Sequence, residues 1–116
     1  FANSYLYSAD LRETDLSQTN LMQANLIFVN FGNANLRGAN LERAYLQDAH
    51  FNNTNLRKAN LKGANLKRAR NLTCDQIKSA AIDKNTRLPD YITLTGSLES
   101  AYECKNRVRE KLGASK

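Results

Sequence analysis

The chain has 116 residues, about one domain's worth, with 17 Lys and Arg against 11 Asp and Glu and a net charge of +6. No stretch is apolar enough for long enough to span a bilayer, and none reads as a signal peptide. One histidine and two cysteines are too few to hold a structural zinc ion.

Residues 1–70 repeat every five positions. Leu or Phe stands at Phe1, Leu6, Leu11, Leu16, Leu21, Leu26, Phe31, Leu36, Leu41, Leu46, Phe51, Leu56, Leu61 and Leu66. Two places before each centre from Leu6 onward is a small residue, and eight of these thirteen are Ala. One place before, ten of thirteen are Asn or Asp, the exceptions being Tyr5, Tyr45 and His50. A period of five suits neither common element. On a helix each step turns about 140° past a full revolution and smears the centres round the cylinder. On a strand an odd step changes face each time. If each quintet instead forms one short wall followed by a corner, all centres share one interior. Four walls make a twenty-residue coil, and coils stack by parallel pairing about 4.8 Å apart. One large and one small inward residue per wall fill a narrow bore.

Repeated Ala-Asn-Leu, as at Ala24-Asn25-Leu26, Ala34-Asn35-Leu36, Ala59-Asn60-Leu61 and Ala64-Asn65-Leu66, resembles the pentapeptide-repeat proteins. The resemblance implies an all-β solenoid, a right-handed quadrilateral parallel β-helix. Fourteen quintets correspond to about 3.5 coils and a tube roughly 17 Å long at sheet spacing. Leu6, Leu26, Phe31, Leu46, Phe51 and Leu66 are expected in its core. Phe1 is already a wall centre, so the register is expected to continue upstream or a leader to have been removed.

Folding the sequence in twenties places neighbours in columns. Phe31 and Phe51 share one, below Leu11. Asn20, Asn40 and Asn60 share another, where Asn suits strained corners and bonds its own backbone. The wall centred on Leu6, Leu26, Leu46 and Leu66 carries Tyr5, Tyr7, Ile27, Phe28 and Tyr45 outward, with Met22 nearby. This is a candidate partner-binding face. Cover by another part of the same chain is the competing reading.

Charge is uneven. Residues 1–36 set Arg12 against Asp10, Glu13 and Asp15, while residues 37–70 carry eight bases against Glu42 and Asp48. Arg37, Arg57 and Lys58 on the wall centred on Leu16, Leu36 and Leu56, with Lys62, Lys67, Arg68, Arg70 and Arg43 nearby, form a candidate basic face for phosphates or an acidic partner. A merely solvated charged face is the alternative. No aromatic lies among these bases to stack on nucleobases, so nucleic acid is not an expected partner.

After Leu66 the register breaks at Asn71. Residues 71–116 are expected to form a capping segment with one short and one longer α-helix. Thr73 and Gln76 read as a capping box opening a helix over 75–82 that lies on the last coil. Pro89 ends that element. The run 71–90 also looks like the segment that often follows the repeats in bacterial, especially cyanobacterial, members. Tyr91-Ile92-Thr93-Leu94 is β-prone. Leu98, Ala101, Tyr102, Val108 and Leu112 predict the longer helix, stopped at Gly113, with bases (Lys105, Arg107, Arg109, Lys111) toward its end. Cys74 and Cys104 are either unrelated thiols or a disulfide between the two helices, which would imply an oxidising compartment.

No catalytic constellation, glycine-rich phosphate loop or cofactor motif is present in the sequence. His50 reads as a surface variant of the Asn/Asp slot. A filled tube leaves no substrate cavity. The expectation is a non-catalytic, cofactor-free protein-binding or scaffold module, with an unidentified protein partner, an acidic one being suited to the basic face, and a homodimer contact at the open N-terminal coil. Family analogy supplies two alternatives. One is a DNA-mimicking, gyrase-interacting protein, which the positive charge opposes. The other is a developmental regulator or a structural or regulatory protein of the thylakoid lumen or periplasm. Free thiols would place the chain in the cytoplasm, the favoured compartment. A bridged pair would place it in the lumen or periplasm.

Overall fold

Each quintet closes on a tight turn. In Leu21-Met22-Gln23-Ala24 the Ala24 N–H donates to the Leu21 carbonyl at 3.1 Å, and Gln23 has φ +58°. A left-handed residue at the third place of a four-residue turn is the mark of type II geometry. The same place is left-handed in every quintet from Asn3 to Arg68. Only two of these residues are glycine, Gly38 and Gly63, although other residue types pay about 1–2 kcal/mol there. The Asn or Asp before the centre braces the corner. Asn20 Oδ1 accepts from the Met22 N–H at 3.0 Å, and Asn25, Asn30, Asn35, Asn40, Asn55, Asn60 and Asn65 do the same two residues on. The Asn20, Asn40, Asn60 column is therefore structural, as expected, but it does not itself occupy the strained position. It holds the following corner from outside.

The structure, a computed structural model, describes residues 1–107. Parallel bridges join Tyr5 to Asn25, Asn25 to Tyr45 and Tyr45 to Asn65, and likewise the columns beginning at Asp10, Asp15 and Asn20. The Leu26 N–H donates to the Tyr45 carbonyl at 2.8 Å, and the Tyr45 N–H donates to the Ala24 carbonyl at 3.0 Å. Residues twenty apart thus lie one above the other. The chain winds as a solenoid whose interior holds the centres and the small residues two places before them.

Leu21, Leu26, Phe31, Leu36, Leu41, Leu46, Phe51, Leu56, Leu61 and Leu66 are all sealed from solvent. At the first coil the bore is open. Phe1 is exposed, and Leu6, Leu11 and Leu16 are only partly buried. Of the expected core residues, Leu6 is therefore the one not fully enclosed.

After Leu66 the chain crosses the far end of the tube. Leu72 is buried there, held by Tyr91, whose hydroxyl accepts from the Leu72 N–H and donates to the Ala69 carbonyl. Helix α1, Cys74–Ser79, opens on the capping box expected at Thr73 and Gln76. It is shorter than the sequence suggested because Ala81 leaves it to bridge Asn60. Ile77 is fully buried, and Gln76 Nε2 donates to the carbonyls of Phe51 and Thr54, at 2.9 Å each. Arg87 then bridges Asn65.

The second, longer helix is not what the described residues form. Strands β1, Ile92–Ser97, and β2, Ala101–Asn106, make an antiparallel hairpin in which Leu94 faces Cys104 and Gly96 faces Tyr102. The physical reason lies in the burial pattern. Tyr102 and Cys104 alternate with exposed neighbours, a period of two that suits a strand. The apolar residues were too sparse to bury a helical stripe. Gly96 has φ +94°, and a Cβ there would approach the Ala101 carbonyl oxygen to 2.9 Å. Val108, Arg109, Lys111, Leu112 and Gly113, which completed the expected helix, lie outside the described residues. Cys74 and Cys104 are bonded, so the bridge ties helix α1 to strand β2 rather than helix to helix.

Candidate interaction site

The rigid ladder fixes what each wall shows to solvent. On the wall centred on Leu6, Leu26, Leu46 and Leu66, three exposed aromatics touch. The rings of Tyr5 and Tyr7 stack with centroids 6.2 Å apart, and Phe28 meets Tyr7 edge-on at 5.9 Å. Tyr5 is 75% exposed, with Tyr7, Phe28 and Tyr45 near half. Ile27 is partly covered. Phe28 occupies the left-handed corner with φ 63°, which throws its ring outward. No segment among the described residues lies over this cluster to bury it, so intramolecular cover is not seen there. Tyr45 lies on the same wall but one bridge beyond Asn25, and no ring contact joins it to the other three.

The basic residues do not form one flat face. Arg57 and Lys58, then Lys62, then Lys67 and Arg68, then Arg70 fall on successive walls of the last coil and are all exposed. They encircle the tube, with no acid between Asp48 and Asp75. Arg37 lies one coil above Arg57 in the same column. Arg43 drapes its side chain over Gly63, where a Cβ would sit 3.1 Å from Arg43 Cγ. Only Arg68 of these has an ion-pair partner among the described residues, Asp48 at 3.0 Å. Residues 48 and 68 share a column, so counting in twenties could have found that pair.

The opposite end is acidic. Asp10 is held by Arg12 at 2.8 Å. The Arg12 side chain, and then its backbone N–H, hold the Asp10 carboxyl down to about 2. His50 lies between Asn30 and Arg70 in its column, partly buried. No cluster of His, Cys, Asp or Glu among the described residues is arranged to hold a metal ion. No helix there is long and apolar enough to cross a membrane.

One feature escaped the sequence reading. Between the last wall and the 89–91 segment runs a groove of about 560 Å³, lined by Lys67, Arg68, Ala69, Arg70, Asn71, Pro89, Asp90 and Tyr91. It depends on where Tyr91 anchors the returning chain, and no local pattern encodes that. Gln47, on the aromatic wall one step before Lys67, has a buried Oε1 without a hydrogen-bond partner. Buried polar atoms rarely stay unpaired.

The comparisons with known proteins agree with this geometry. The family described as pentapeptide repeats (8 copies) matches residues 4–43 and 34–70, more than half of the chain. Among solved structures, Rfr23, a pentapeptide repeat protein from the cyanobacterium Cyanothece 51142, is 34% identical with a TM-score of 0.50. That match covers 74% of this chain and 61% of Rfr23. The pentapeptide repeat protein alr5209 from Nostoc Pcc 7120 is 31% identical with a TM-score of 0.53, over 78% of this chain and 74% of that one. QnrB1, a plasmid-mediated fluoroquinolone resistance protein, gives a TM-score of 0.66 at 20% identity over 78% of this chain. That likeness is one of fold, and the match spans only 42% of QnrB1. No curated protein matches the sequence.

Proposed function

The chain belongs to the pentapeptide-repeat family, and from that premise we propose that it is a non-catalytic module presenting rigid solenoid walls to a protein partner. The observation that carries this reading is the contiguous Tyr5, Tyr7 and Phe28 cluster on one wall. Exposed apolar patches on rigid scaffolds mark interaction sites, and aromatics dominate binding hot spots. The basic girdle supports an acidic partner, since complementary charge steers encounter. Residues 1–70 are then the binding solenoid and the following segment its cap, a division supported by the backbone bonds of Ser79, Ala81 and Arg87 to the last coil.

The Cys74–Cys104 bond supports an oxidising compartment such as the periplasm or thylakoid lumen rather than the cytoplasm. Mimicry of duplex DNA needs an acidic rod, and a net charge of +6 gives it no support.

The test is a pull-down from the source organism comparing the wild type with Tyr7→Ser/Phe28→Ser. Both positions are exposed, so folding should be unchanged and partner recovery should fall. Equal recovery from the variant would overturn the assignment of this wall.

A further inference from the structure

We infer that the partner engages the aromatic wall as an extended segment lying along the tube axis, apolar over Tyr7 and Phe28 and acidic where it reaches Lys67 and the groove that Arg70 lines at the edge of this wall. This rests on the protein-binding reading above and specifies what is bound.

The ladder puts two unlike surfaces on one wall. Tyr7, Ile27, Gln47 and Lys67 occupy one column, set by the bonds from the Ser8 N–H to the Ile27 carbonyl (2.9 Å), from Phe28 to Gln47 (3.0 Å) and from Asp48 to Lys67 (3.2 Å). The first two coils of this wall present Tyr5, Tyr7 and Phe28, and its last coil presents Lys67 and Arg68, with Tyr45 and Asp48 on the coil between. Arg68 is already matched by Asp48. Lys67 and Arg70 have no ion-pair partner among the described residues, and they face the groove against the single carboxylate of Asp90. That groove can seat an acidic side chain.

The dimensions favour a strand-like occupant. From Tyr7 to Lys67 is three ladder steps, about 14 Å. An extended chain crosses that distance in about four residues. A wall one quintet wide offers far less than the roughly 800 Å² per partner of a standard interface between globular proteins. At the midpoint, a backbone N–H of the occupant could satisfy Gln47 Oε1 once that side chain turns outward.

The test selects binders from a displayed library of random twelve-residue peptides on the immobilised full chain. Each clone is then measured on the wild type, on Tyr7→Ser/Phe28→Ser and on Lys67→Glu/Arg70→Glu. All three must first show the same cooperative thermal transition. The expected clones need Tyr7 and Phe28, lose tenfold or more on the charge-reversed variant, weaken with salt, and carry an aromatic or Leu about four residues from an Asp or Glu. Clones that need Tyr7 and Phe28 but bind the charge-reversed variant equally well would overturn this inference and leave the protein-binding reading standing. Recovery of no clone sensitive to Tyr7 and Phe28 would overturn both.

Discussion

Phe31 lies on Phe51 inside the solenoid, the ring centroids 5.5 Å apart and the planes within 23° of parallel. Both are fully buried. Thr54 Oγ1 donates to the Phe31 carbonyl at 2.8 Å, and Gln76 reaches the Phe51 carbonyl from helix α1. This column therefore links the coils to the C-terminal segment. Phe51→Ala would leave a void the stiff ladder cannot close, at about 3–5 kcal/mol. Phe51→Leu places there the residue type that Leu11 supplies in the same column and should cost far less. Urea unfolding of the two variants checks the difference.

Leu46 tests the inward assignment more severely. It is wholly buried between Leu26 above and Leu66 below. An Asp there has no partner and no water, which costs more than the molecule's marginal stability can absorb. Leu46→Asp should lose its cooperative thermal transition by circular dichroism. A retained transition near the wild-type midpoint would contradict the shared interior.

Gly38 is a corner with φ +68°, and a Cβ there would collide with Gln18 Nε2. Gln18 sits one coil above and lays its amide across the glycine. Gly38→Ala should destabilise by two routes, the left-handed backbone at about 1 kcal/mol and displacement of Gln18. In a Gln18→Ala background only the first remains. A double-mutant cycle by urea unfolding should give a non-zero coupling. Strict additivity would show that Gln18 is not held there.

Asp83 fastens the loop after helix α1 to the last coil. Its Oδ1 accepts from the N–H of Gly63 at 3.0 Å and of Asn85 at 2.9 Å, and from Thr86 Oγ1 at 3.3 Å. Burial pushes its carboxyl up, but these hydrogen bonds outweigh it, those from the Gly63 and Asn85 N–H groups most, and hold the group below the ordinary range. A depressed carboxylate stabilises fully above its unfolded value, near 3.9, and loses that contribution as pH falls through the lowered one. Amide exchange at Gly63 should therefore stay slow at pH 5 and speed up, after correction for intrinsic rates, as Asp83 protonates. Asp83→Ala should show the fast behaviour already at pH 5.

The contrast between the two ends of the chain shows what a sequence can encode. In residues 1–70 each local choice repeats, so the column of Leu26 and Leu46 follows from counting alone. The capping box at Thr73 and Gln76 is likewise a local pattern with a local cause. The hairpin was not legible because Leu98, Ala101 and Tyr102 match helical spacing by chance, while the pairing partner of Tyr102 is Gly96 across a turn. For the candidate site, the aromatic wall was visible in the columns. The groove was not, since it exists only where Tyr91 folds back onto Ala69. The positions of the bases were legible too, since Arg57, Lys62 and Lys67 are one quintet apart and so stand on successive walls.

The Cys74–Cys104 bond closes a separation of 30 residues and is the main tie on the hairpin. Residues 95–101 are exposed throughout. Apart from the disulfide, β2 meets the rest through the packing of Tyr102 on the core, the Lys78 Nζ bond to the Tyr102 carbonyl at 2.8 Å, the Lys78 ammonium 4.7 Å from the Tyr102 ring centroid, and a 3.4 Å bond from Asn106 Nδ2 to the Leu72 carbonyl. A lone two-stranded hairpin is marginal in water, and a loop of this size is worth about 3–4 kcal/mol in the chain-entropy account. Reduction, or Cys74→Ser/Cys104→Ser, should therefore release residues 92–106 first. Hydrogen exchange should rise across β1 and β2 while the N–H groups of Leu26 and Leu46 stay protected by their ladder bonds to Tyr45 and Asn65. Equal loss of protection in hairpin and ladder would mean that the bond secures the end of the solenoid itself. Unchanged protection in the hairpin would mean that the burial of Ile92 and the packing of Tyr102 on the core hold it without the bridge.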